Sequence, residues 1–141
     1  MTAKQHLSEV RQLNNRIARL TEEIERRRAK LTSTTISTAA ERVQSSPHGD
    51  KFAGMIAALA DKELYRAEMI LIYETMRDKI VDEILGLDDT LCQQVLYERY
   101  VNGLEWGQVA AKLFFSPSYI YVLHLKALAA FSEKYPEYTE K

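Results

Sequence analysis

The 141-residue chain is 46% hydrophobic and 28% charged, a globular balance that allows one ordinary domain, or one small domain plus an extended element. Its net charge of −1 gives no global attraction to nucleic acid or to an acidic membrane. The lone Cys92 excludes an intrachain disulfide and any cysteine-based zinc site, which fits a reducing cytoplasm. Five glycines and three prolines leave few breaks, so long helices are expected.

The first predicted element is an amphipathic helix over about residues 2–31. Val10, Leu13, Ile17, Leu20, Ile24 and Leu31 alternate spacings of three and four, a heptad seam interrupted at Arg27. At ~1.5 Å per residue such a helix would reach about 45 Å, and an element so thin cannot bury its stripe alone. Charges and hydrophobes alternate over its first two-thirds, so no secretory signal is expected. The basic run Arg26, Arg27, Arg28 and Lys30 reads first as cations complementing a helix C-terminus, and second as a phosphate contact. Serines, threonines, Pro47 and Gly49 then predict a polar linker over residues 32–50, with room for one helical turn at Ala39 to Val43. A solvated linker is favoured there over a phosphorylated segment.

A second long helix is predicted over about residues 51–85. Phe52, Met55, Ile56 and Leu59 make one apolar patch, and Met69, Ile70, Tyr73, Met76, Ile80, Ile84 and Leu87 another. The first helix has eight cations against four glutamates, while the span from Asp50 to Gly86 has five against eight acidic residues. Opposite charge favours packing of the two long helices as an antiparallel hairpin, with a homodimer through them as the close second. Residues 1–86 are therefore expected to form one part, 87–135 a second, and 136–141 a tail.

Gly86 ends the long helix, and Asp88 or Asp89 caps the next. As a cap this pair needs no metal or acid/base role. Leu91, Val95, Leu96 and Tyr100 recur at helical spacing until Asn102 and Gly103 stop the helix. From about Glu105 to Leu113, Trp106, Val109, Ala110 and Leu113 share one face. Ser116 and Pro117 look like an N-cap and a first-turn proline opening a helix to about Phe131. The window from Leu113 to Phe131 is apolar enough to raise a membrane span, but Pro117, His124 and Lys126 interrupt it, and a buried helix reads better.

Three short helices joined by two tight connections are the grammar of a helix-turn-helix. The run GLEWGQVAAKL-FFS-PSYIYVLHLKAL, residues 103–128, resembles region four of bacterial sigma factors. It carries Gly103, the aromatic Trp106, the aliphatic-alanine pair Val109-Ala110, Leu113, Ser116, and a helix closing on Ala127-Leu128. Within that group it is most similar to small phage-encoded regulators of the autolysin-regulatory (ArpU-type) kind, which are also helical in their N-terminal half. The detailed likeness is confined to the C-terminal part of the chain. It departs from the family's pattern at Val122 and Leu125, where basic residues are found, and at Phe114-Phe115, where glycine is common in the turn. Either the turn avoids positive φ at Phe114-Phe115 or its geometry differs from the common one.

The resemblance implies a DNA-binding transcription regulator of phage or prophage origin. It would read double-stranded promoter DNA with helix 117–131 and touch RNA polymerase or a sigma factor. By three-four spacing the inward face of that helix is Ile120, Leu123, Ala127 and Phe131, with Leu128 beside them. Ser118, Tyr119, Tyr121, Val122, Leu125 and Lys126 are left outside and, with Ser116 and Lys112, form the predicted DNA-contact set. Tyrosine and serine bond phosphates or base edges, Val122 suits a thymine methyl, and the two lysines make a small positive patch.

No glycine-rich phosphate loop, metal-ligand spacing or nucleophile with a base partner is visible, so no cofactor is implied and an enzyme is the least favoured class. His6, His48 and His124 are scattered and read as structural or solvated. The expected protein is all-α and cytoplasmic, with no membrane partner: a long N-terminal helical hairpin or coiled coil followed by a three-helix helix-turn-helix. The competing classes are an oligomeric phage packaging subunit of the small-terminase kind and a coiled-coil adaptor that does not bind DNA.

Overall fold

The computed structural model describes residues 1–40 and 47–139, with side chains over 1–33 and 49–139. Among these residues every regular element is helical, so the protein is all-α. The elements are α1 (Ala3–Ala40), α2 (Pro47–Leu85), α3 (Thr90–Leu96) running into a π-helical turn (Tyr97–Val101), α4 (Trp106–Leu113), α5 (Pro117–Lys134) and a 3-10 turn (Pro136–Tyr138).

The predicted linker is largely helix. α1 continues to Ala40 instead of ending near Leu31, and α2 begins at Pro47 instead of Lys51. Serine and threonine are only modestly poor helix formers, and no glycine or proline interrupts residues 32–46. Thr32 keeps its place by donating its hydroxyl to the Arg28 carbonyl, 3.0 Å away. The turn expected at Ala39 to Val43 falls partly outside the described residues, as does the side chain of His48. Because α1 continues, the run from Arg26 to Lys30 lies within the helix and not at its C-terminus.

Contacts gather the chain into two compact units, one of Met1–Asn14 with Tyr73–Lys141, the other of Asn15–Ile72. The boundary predicted between residues 86 and 87 is therefore not where packing divides the chain. In the first unit Ala3, Leu7 and Val10 of α1 and Ile80 and Ile84 of α2 join Leu96, Tyr100, Ala127 and Phe131 in one core, with Tyr138 closing it. Packing into this core takes the apolar ends of the long helices out of water. Inside this core His6 Nε2 and Glu83 Oε1 are 2.8 Å apart, and the His6 ring stacks on Tyr138 with centroids at 3.9 Å. Gly86 lets the chain leave α2 under Tyr135, whose hydroxyl would lie 2.6 Å from any added Cβ and donates to the Glu83 carbonyl.

The second unit takes its shape from the long helices alone. Ile24, Leu59 and Met69 are its buried apolar residues, while the seam positions Ile17 and Leu20 are half-buried. Arg28 of α1 reaches Glu63 Oε1 of α2 at 2.6 Å, and Arg26 and Arg27 turn back to Glu23 at 2.5 and 3.0 Å. Exposed pairs of this kind add at most about 1 kcal/mol each, so they orient the helices more than they hold them. Among the described residues no single helix is long and apolar enough to cross a membrane.

Leu7 is fully buried in a core whose other members, apart from Ala3 and Val10, lie between Ile80 and Tyr138. Leu7→Ala is expected to destabilise that unit by roughly 2–4 kcal/mol. Urea unfolding followed through Trp106, the chain's one tryptophan, checks this, because that residue packs in the same unit.

Candidate functional site

Local capping fixes the C-terminal helices. Asp89 is the N-cap of α3, its Oδ1 accepting from the N–H groups of Leu91 and Cys92 at 2.8 and 3.1 Å. The Cys92 N–H is the main reason its carboxyl lies below the usual value, opposing partial burial, with Leu91 and Lys126 assisting. Cys92 itself is buried, and burial pushes its thiol up, so it packs as a small apolar residue. At the start of α4 the Gln108 side chain accepts the Glu105 N–H at 2.9 Å. At the start of α5 Ser116 Oγ accepts the Tyr119 N–H at 3.2 Å, followed by Pro117 at the first helical position.

Between α3 and α4 the chain widens into the π-helical turn, which sequence periodicity did not predict. It ends at Asn102, and Gly103 takes φ +71°, a conformation available to glycine at little cost. Tyr100 and Val101 are buried, while Arg99 extends beneath α4, donating to the Leu104 carbonyl at 3.0 Å and lying 4.5 Å from the centre of the Trp106 ring.

The connection between α4 and α5 does not avoid positive φ. Phe114 has φ 61° and ψ 38°, the only non-glycine residue with positive φ among those described, and its side chain is 92% exposed. It fills the position after a helix where glycine is usual, and the Phe115 N–H closes the turn on the Ala110 carbonyl at 3.0 Å. Phe115 packs inward against the core and edge-on to Tyr119 at 4.9 Å. Beyond this turn the axes of α4 and α5 diverge by 97°. A second core of Val95, Val109, Ala110, Ile120 and Leu123 binds α3, α4 and α5 together.

α5 buries Ile120, Leu123, Ala127 and Phe131, and also His124. Ser118, Tyr119, Tyr121, Val122, Leu125 and Lys126 all face outward, as do Ser116 and Lys112, but Ser116 already caps the helix. The face is apolar: Tyr121, Val122 and Leu125 are 63%, 57% and 50% exposed. Its lysines do not form a bare positive patch. Lys112 Nζ lies 2.9 Å from Glu98 and Lys126 Nζ 3.6 Å from Asp89. Burial would raise the Glu98 carboxyl, but hydrogen bonds from Asn102 and Lys112 outweigh it and hold it below its usual value.

Positive charge gathers instead on the neighbouring side of the same unit, where sequence reading assigned no site. Arg11 Nη2 is 3.0 Å and Arg99 Nη1 3.6 Å from Glu105, whose carboxyl stays exposed. Next to them Tyr100 Oη and His124 Nε2 share a buried hydrogen bond of 2.7 Å, with the Trp106 ring 4.4 Å from the imidazole. Burial, helped by the charges of Lys4 and Arg99, lowers the His124 pKa to about 4, and burial raises Tyr100 to about 12, so both are neutral near pH 7. Arg11 and Arg99 come from segments far apart in sequence, which is why periodicity gave no hint of the cluster. Tyr100 and Trp106, placed at apolar helical positions, and His124, read as structural or solvated, were its visible members. No protein-family model, curated protein or solved structure matches the chain.

Two outcomes follow from this geometry. The His124 contribution to stability is complete above pH 6.5 and is lost as pH falls from 6.5 towards about 4, because over that interval the unfolded chain binds the proton and the folded one does not. A loss of the order of 2–3 kcal/mol is expected in urea midpoints measured across the interval, and His124→Gln should flatten that part of the profile. Phe114→Gly relieves the left-handed conformation and removes almost no packing. It should raise stability by roughly 0.5–1 kcal/mol, read as a higher urea midpoint at unchanged slope.

Proposed function

We propose that this protein is a DNA-binding transcription regulator of phage or prophage origin, built on a sigma-region-four-like helix-turn-helix of α4 and α5 and acting in the cytoplasm. The observation that carries the reading is the pairing of α4 and α5 at 97° with one face of α5 left exposed over its N-terminal half. That is the presentation a recognition helix needs to enter a major groove. Tyr119, Tyr121 and Ser118 supply hydrogen bonds, Val122 and Leu125 apolar contacts to thymine methyls, and Lys112 and Lys126 charge once phosphate displaces Glu98 and Asp89. In this reading the long helices form a hairpin or coiled coil that sets a homodimer. An exposed seam of Ala53, Ala57, Ala60, Leu64 and Ala67 on α2 supports it, spaced alternately by four and three residues.

A second reading is favoured by one observation: the outer face of α5 is apolar and its cations are paired, as suits a protein surface better than a phosphate backbone. RNA polymerase or a sigma factor is then the partner, and the long helices serve as an adaptor or as part of an oligomeric assembly.

Fluorescence anisotropy with labelled duplex from upstream of the protein's own operon, at low and moderate salt with competitor DNA, separates the two. Binding that survives competitor and weakens roughly tenfold in Tyr121→Ala and Lys126→Ala is the expected result. Absence of binding at low salt, where phosphate contacts are strongest, removes autonomous DNA reading and leaves the protein-partner reading.

A further inference from the structure

A cavity of about 380 Å³ opens in the first unit where the start of α1 faces the π-helical turn, α4 and the first turns of α5. Its size is within the range of small-molecule sites, and its chemistry differs from that of the surrounding surface. Lys4, Arg11 and Arg99 bring three cations, two of which share the exposed Glu105 carboxylate, to a chain of net charge −1. Trp106 and Tyr121 supply aromatic surface, and the neutral His124 contributes an imidazole from the α5 side. Arg11 Nε is buried without a hydrogen-bond acceptor, the only such side-chain nitrogen or oxygen among the described residues. A buried donor left unpaired is costly, so an acceptor entering beside Arg11 removes that penalty.

We propose that this cavity binds a small organic anion built on a planar ring. The ring lies against Trp106 and Tyr121, and its phosphate or carboxylate meets Lys4 and Arg11. A site made only for an inorganic anion has no use for the aromatic surface, and one made only for a neutral ring would not gather three cations and an unpaired guanidinium nitrogen. Two sources share this chemistry, a nucleotide and an aromatic carboxylic acid. The site is separate from the outward face of α5 assigned to DNA, apart from Tyr121, which borders both.

Trp106 lines the cavity and is the chain's only tryptophan, so its fluorescence reports occupancy directly. The 141-residue protein, with no DNA present, is titrated with adenosine and guanosine monophosphates, with 4-hydroxybenzoate and benzoate, and with inorganic phosphate and adenosine as half-ligands. A saturable change with a nucleotide or with an aromatic acid supports the proposal and identifies the source. Binding should be at least roughly tenfold weaker for phosphate alone, for adenosine, and for the best ligand on Arg11→Gln. Tyr121→Ala, a change on an exposed residue, gives an independent test should Arg11→Gln disturb folding. Three results would overturn it: no saturable change with any probe up to roughly millimolar concentration, equal binding of inorganic phosphate, or affinity unchanged in both variants. Since DNA is absent, failure here leaves the anisotropy experiment untouched, and failure there leaves this one untouched.

Discussion

A helix with one apolar face is stable only when something covers that face, and for the start of α1 the cover comes from the opposite end of the chain. Ala3, Leu7 and Val10 are buried by residues that begin at Ile80 and end at Tyr138. Each fully buried aliphatic side chain is worth about 1.5–3 kcal/mol, more than any surface ion pair on either long helix. The same arrangement fixes the register of the polar groups inside. His6 reaches Glu83 and stacks on Tyr138 only because Leu7 and Val10 fix the turn of α1 that carries it. Those contacts in turn bring Lys4 and Arg11 alongside Trp106 and His124. The cavity is thus a by-product of the packing, with its walls already positioned by the core.

Electrostatics divide this unit into two kinds of surface. On the outer face of α5 each lysine has a carboxylate within 4 Å, so the face presents tyrosine, valine and leucine with little net field. Towards α1 the single exposed carboxylate of Glu105 serves two arginines, and Lys4 adds a third positive charge. The neutral His124 and Tyr100 beneath them do not offset it near pH 7. Anions are therefore drawn to the seam between α1 and the short helices more than to the exposed helix itself.

What the sequence revealed and what it hid divide along a physical line. Local patterns were readable: the inward face of α5, the Ser116 cap with Pro117 after it, the apolar face of α4 and the burial of Cys92 all follow from three-four spacing and capping chemistry over a few residues. The end of α1 was misjudged because a run of serine and threonine weakens a helix without breaking it, and no glycine or proline forces a stop before Pro47. The π-helical turn was hidden because widening one turn changes no residue type. Phe114 could be flagged as odd, but that it would take the left-handed turn itself could not be read from a residue that usually avoids it. Of the candidate site, the exposed face of α5 was legible. The cation cluster was not, since Arg11 and Arg99 meet only after residues far apart in the chain have packed.

The discontinuous first unit also governs the order in which the protein can be built. During synthesis the residues up to Asn14 leave the ribosome first, yet the core that covers them is incomplete until the segment from Tyr73 onward has followed. Leu7 and Val10 therefore lack their core partners until that segment emerges, while α3, α4 and α5 can pair with one another through contacts close in sequence. Within this unit the capture of α1 is the step of highest contact order, because it joins residues before Asn14 to residues after Tyr73.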